Sequence, residues 1–178
     1  MIRRAALFGL LGLIATAPLM GQTAPSSAQA SARGSITVLR PLTITTTAEM
    51  SFGRLQPQGN GPSGTVVLSS TPPTTRTSST VSLLSGGNET PLIRTISGVP
   101  GAVYRISYPS SAVTVQGGYP VTAFTLWSAN SGTITNTRIS QLNASGNDTI
   151  RIGATLTLPK GAKQNTFTVA VPVTIFYE

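Results

Sequence analysis

The chain has 178 residues with no histidine and no cysteine, and its 12 Lys and Arg against 4 Asp and Glu give a formal charge of +8. Without His or Cys it cannot form a disulfide, a Ser-His-Asp or Cys-His nucleophile, or a zinc site built on those ligands. Ser and Thr make up roughly a quarter of the residues and charged side chains only 9%, a composition suited to extended backbone with uncharged outer faces.

Arg3 and Arg4 precede an uncharged run at 5–17 (AALFGLLGLIATA) and then Pro18, the n-region and h-region of a secretory signal. The run is shorter than the about 20 residues that a membrane-spanning helix needs. Small residues place a cleavage site at Ala28-Gln29-Ala30, with 26–28 (SSA) as its rival. The expected organisation is a signal peptide at 1–30, carrying the signal helix, and a single domain at 31–178 with enough chain for one hydrophobic core. Export by the general secretory route would deliver it to the periplasm, the cell surface or the medium, with no membrane span in the mature chain. Removing Arg3 and Arg4 lowers the charge to +6, and the remaining bases are scattered without interleaved aromatics, so no nucleic-acid partner is expected.

The first strand is expected at 35–47 (SITVLRPLTITTT), with Ile36, Val38, Leu42 and Ile44 on one face. Arg40 interrupts that face and Pro41 lacks a ladder donor, which predicts a bulge or a sheet edge. Met50 and Phe52 extend the parity towards a turn at Phe52-Gly53. A loop at 59–64 (GNGPSG) leads to a strand at 65–69, an exposed proline-rich connection at 70–80, a strand at 81–84 and a turn at Gly86-Gly87-Asn88. Segments 92–97 and 103–108 flank 98–101 (GVPG) and predict a hairpin. A short strand at 112–115, a turn at Gly117-Gly118, an apolar strand at 121–127, a turn at Asn130-Ser131-Gly132 and a polar loop at 140–147 follow.

Ile150, Ile152, Ala154, Leu156 and Leu158 alternate without a break, and 159–165 (PKGAKQN) should join their strand to the last one as a long hairpin. In the last strand Phe167, Val169, Val171, Val173, Ile175 and Tyr177 share one face, while Thr166, Thr168, Ala170, Pro172, Thr174 and Phe176 tolerate water on the other. With no helical periodicity after the signal, eight to ten short strands predict an all-β fold, a β-sandwich with a barrel as the alternative.

Chemistry is sparse. The acidic residues leave Glu49 and Asp148 as a nominal carboxylate pair, and Lys160 and Lys163 lack a Ser-x-x-Lys spacing. No catalytic, cofactor or metal site is expected. Trp127 with Tyr104, Tyr108 and Tyr119 could line a sugar-binding face.

Three stretches, 36–55 (ITVLRPLTITTTAEMSFGRL), 151–159 (RIGATLTLP) and the alternating last strand, resemble the bacterial exported family described as domain of unknown function 4402. The resemblance is most specific at Pro41-Leu42, Phe52-Gly53 and Ile152-Gly153. That family is similar in pattern to spore-coat-U-like and chaperone-usher pilin domains, incomplete immunoglobulin-like sandwiches that commonly end in an alternating strand with a penultimate tyrosine, where Tyr177 falls. The resemblance implies an immunoglobulin-like (pilin-like) sandwich that pairs strands with itself or related subunits, served by a periplasmic chaperone. The assembly residues would be Ile36, Val38, Leu42, Ile44, Phe167, Val169, Val171, Val173, Ile175 and Tyr177. The cysteine pair of many such subunits is absent, and only 31–34 precede the first strand, so 35–47 would itself be the donor. The expected function is a secreted, non-catalytic structural or adhesive protein of the cell surface, such as a fimbrial subunit. A self-complete glycan-binding module is the alternative.

Overall fold

A computed structural model describes residues 40–59, 61–115 and 117–178. The expected signal peptide and the expected assembly residues Ile36 and Val38 lie outside them. The described residues fall within one compact unit. Every regular element in them is a β-strand: β1 (Thr43–Ala48), β2 (Met50–Pro57), β3 (Gly64–Leu68), β4 (Arg76–Ser79), β5 (Val81–Leu83), β6 (Leu92–Ser97), β7 (Val103–Ser107), β8 (Val113–Thr114), β9 (Pro120–Ser128), β10 (Gly132–Ile134), β11 (Ile139–Gln141), β12 (Asn147–Leu158), β13 (Asn165–Val169) and β14 (Thr174–Tyr177). The all-β expectation holds. The strands outnumber the expected eight to ten because several are fragments of two to four residues, and because the last long strand divides.

The strands form three antiparallel sheets. The largest has eight strands and is organised around β12, which pairs with β6 over 147–152 and with β3 over 154–158. Along its other edge β12 pairs with β9. β1 lies beyond β6, β4 beyond β3, and β8 and β10 beyond β9. The other two sheets have three strands each, in the orders β13-β2-β5 and β11-β7-β14. One hydrophobic core draws on all three: Leu92, Ile96, Leu126, Ile152 and Leu156 from the first, Met50, Phe52, Leu55 and Phe167 from the second, Tyr104 and Ile106 from the third. Full burial of such a side chain contributes about 1.5–3 kcal/mol.

Several connections differ from expectation. Segments 92–97 and 103–108 are not a hairpin, since β6 pairs with β1 and β12 whereas β7 pairs with β11 and β14. The intervening loop passes between sheets, and its amides bond to the β11–β12 connection: Gly98 N–H donates to the Gly146 carbonyl at 2.9 Å and Gly101 N–H to that of Asn143 at 3.1 Å. β12 and β13 are not a hairpin either. Both edges of β12 are already occupied, so β13 pairs with β2 in another sheet.

The expected single last strand is interrupted at 170–173. Its first half pairs with β2 and its second half with β7. Pro172, which has no N–H to give, lies in that gap, and Pro41 lies ahead of β1; neither interrupts a ladder. Burial nevertheless keeps its parity across the gap: Val171, Val173, Ile175 and Tyr177 are covered to some degree while Ala170, Pro172, Thr174 and Phe176 are exposed.

Phe52-Gly53 is a bulge and not a turn. Phe167 opposes Gly53 and Thr168 opposes Ser51, which leaves Phe52 as the extra, buried residue. Gly53 adopts φ +73°, a conformation that glycine reaches without strain. The displaced carbonyls do not go unmet, because Arg76 Nη1 donates to those of Phe52 at 2.7 Å and Arg54 at 3.3 Å, and its Nη2 donates to that of Leu84 at 2.8 Å. The segment 70–80 therefore holds a structural strand, β4, and not merely an exposed connection.

Candidate assembly site

Among the described residues, two strands near the ends of the chain have a partner on one side only. β1 is the outermost strand of its sheet beyond β6, and β14 of its own beyond β7. Tyr177, the last residue of β14, brings them together. Its hydroxyl donates to the Arg40 carbonyl just ahead of β1 at 2.8 Å and accepts from Val99 N–H in the β6–β7 loop at 2.9 Å. Gly98 makes room for this contact. A Cβ there would lie 2.5 Å from the Tyr177 oxygen and 2.9 Å from Cδ1 of both Leu42 and Leu142, so any side chain would push the tyrosine out. Beyond Tyr177, Glu178 N–H donates to the Val103 carbonyl at 3.1 Å, and the Glu178 carboxylate accepts two bonds from the Arg105 guanidinium, one of them at 2.9 Å from Nε. Those bonds hold the Glu178 carboxyl below the usual carboxylate range and raise the Arg105 guanidinium.

The same region of the fold contains a buried carboxylate. Asp148 is 3% exposed, and its Oδ2 accepts from three hydroxyls: Tyr104 at 2.7 Å, Ser128 at 2.7 Å and Ser140 at 2.8 Å. Its Oδ1 accepts from Thr149 N–H at 2.7 Å and Asn130 N–H at 3.3 Å. These partners tie β9 and β12 of the large sheet to β7 and β11 of the third. Burial first, and then the bond to Asp148, pushes the Tyr104 phenol well above its ordinary value.

The profile of the family described as "Domain of unknown function (DUF4402)" matches residues 42–177. The chain belongs to this family. No curated protein and no solved structure matches the chain.

The DUF4402 match begins at Leu42 and ends at Tyr177, two residues that both approach Gly98. Of the assembly residues read from the sequence of this DUF4402 chain, Leu42, Ile44, Val173 and Ile175 are partly buried against the core, and Phe167, Val169 and Val171 are buried within it. They do not form one edge. Phe167 and Val169 lie opposite β2, whereas Ile175 and Tyr177 lie opposite β7, and Ile44 opposite β6.

Other candidates disperse. Glu49 bonds to Arg94 at 3.2 Å while Asp148 keeps its own buried partners, so the two carboxylates belong to separate networks. Tyr104 and Tyr108 are buried, and Tyr119 packs against Phe167, so the tyrosines do not join Trp127 on one exposed face. Among the described residues no three acidic side chains come together as a metal site, and no helix is long and apolar enough to cross a membrane. Asp148 was legible as an inward residue, since it falls two positions before Ile150 in the alternation of β12. Gly98 and Arg76 carry no such signal, because their roles depend on elements distant in sequence.

Proposed function

We propose that this DUF4402 chain is an exported, non-catalytic cell-surface subunit, structural or adhesive, that assembles by strand pairing with itself or related subunits. The observation that carries this reading is that β1 and β14, joined through Tyr177, are each paired on one side only among the described residues. An edge strand presents unpaired N–H and C=O groups, and a strand from another chain can take them up. Three antiparallel sheets feeding one core support an immunoglobulin-like, pilin-like sandwich. The charged and apolar pattern at 1–30 supports secretion by the general route, and a periplasmic chaperone would guard the edges before assembly.

The test is to express the full chain with its own leader and run the extracellular fraction on detergent gels with and without boiling. A ladder that survives detergent and collapses on heating is expected. A single monomer band under both conditions would overturn the reading.

A further inference from the structure

We propose that a groove between the β8–β9 turn and the β12–β13 loop binds an acidic sugar residue of a surface polysaccharide. The groove encloses about 350 Å³ and is lined by Gly117, Tyr119, Gly161, Lys163, Asn165 and Phe167. That volume lies at the small end of ligand sites, the size of one or two sugar rings.

One wall is a fixed aromatic ring. Tyr119 meets Phe167 edge to face, with centroids 5.8 Å apart at 61°, and Phe167 is itself core. Gly117 closes on the other side: at φ +94° a Cβ there would lie 3.1 Å from Tyr119 Cε2. Held by these two contacts and still partly exposed, the ring is the apolar wall that the C–H face of a pyranose would meet.

The lining carries two nitrogen donors, the Lys163 ammonium and the Asn165 amide. Lys163 is exposed and has no ion pair among the described residues. The Asn165 carbonyl oxygen already accepts from Thr166 N–H at 2.8 Å, which leaves its amide N–H groups for a ligand. No carboxylate lines the groove. Ammonium and amide donors beside an aromatic wall suit a ligand with hydroxyl acceptors, an apolar ring face and a negative charge. A uronic acid has all three. The net charge of +6 expected once Arg3 and Arg4 are removed favours approach of such a polyanion.

Another groove among the described residues, beside Tyr108, is a weaker candidate because its cation is committed. Arg138 stacks 4.1 Å from the Tyr108 ring centroid and donates to the Tyr108 carbonyl at 3.0 Å. The Tyr119 groove lies at the start of β13, which pairs with β2, whereas β14 pairs with β7 in another sheet.

The test is calorimetric titration of the full chain, purified after export, with tetragalacturonate at low salt. Cellotetraose serves as the neutral control and inorganic sulfate as the plain anion. Tetragalacturonate should bind, cellotetraose should bind at least tenfold more weakly, and sulfate should not displace the sugar. Lys163→Ala, an exposed change that leaves the core alone, should weaken binding about tenfold, in keeping with one charge-assisted hydrogen bond. Trp127→Ala should leave the affinity unchanged. Absent binding, indifference to Lys163→Ala, or loss on Trp127→Ala would each overturn the proposal. Displacement by sulfate at equal affinity would also overturn it, by reducing the groove to an anion site.

Discussion

Among the described residues Asp148 has no cation beside it; neutral donors satisfy its buried carboxyl group, and three of them are hydroxyls on strands of two different sheets. Hydrogen bonds to a charged group are worth about 1.5–3 kcal/mol each, and a buried donor left without its acceptor carries a desolvation cost of similar size. Asp148→Ala strips the acceptor from Tyr104, Ser128 and Ser140 together. We expect it to destabilise the protein by about 3 kcal/mol or more, because the hydroxyls can only partly rescue one another through the Ser128–Ser140 contact at 2.8 Å. Asp148→Asn, which keeps one oxygen acceptor, should lose markedly less. Urea unfolding of the two variants measures the difference, and equal losses would mean that the site responds to charge and not to acceptor geometry.

At the level of elements, the alternation of apolar residues was legible throughout: β9 and β12 and the faces of the last strand fall where the sequence puts them. Pairing was not, because alternation records which side of a strand is buried and says nothing about which edge meets which neighbour. The last strand shows this best, since its parity survives 170–173 while its hydrogen bonds move from β2 to β7. Pro172 marked the place, yet a proline alone cannot tell a bulge from a change of sheet. For the candidate site, a late tyrosine was readable, but its meeting with Arg40 and Val99 over Gly98 depends on a loop nearly 80 positions away, as the separation of 78 between Val99 and Tyr177 shows. β14 itself is a short element held at its end by Arg105 and Glu178, and that hold depends on pH. The Glu178 carboxyl is depressed in the folded protein, so its contribution is present above the ordinary glutamate value of about 4.3 and is lost as pH falls through the lower folded value. Relative to intrinsic exchange, the protection of the Phe176 and Glu178 amides should fall in acid more than that of Ile106, whose N–H bonds to the Arg138 carbonyl instead. Arg105→Gln should remove that pH dependence, and high salt should blunt it, since the pair is exposed.

For the whole molecule, what matters is that β14 is already in place. Val173 and Ile175 pack against the core of the same chain, so a second chain that takes the position of β14, instead of adding at its outer edge, must wait for its release. Release is a local opening with its own free energy, and every 1.4 kcal/mol removed from that cost raises the open population about tenfold. Tyr177→Phe removes the donor to the Arg40 carbonyl and the acceptor for Val99 N–H while keeping the ring itself. Such a loss is worth about 1–2 kcal/mol. We therefore expect Tyr177→Phe to lower the melting temperature of the monomer and yet to form the detergent-resistant ladder several-fold faster. The two changes must appear together, because both report the same opening. A lower melting temperature with an unchanged rate of ladder growth would reject release as the limiting step, and would place the pairing at the outer edges of β1 and β14, where a strand can be added without displacing any part of the subunit that receives it.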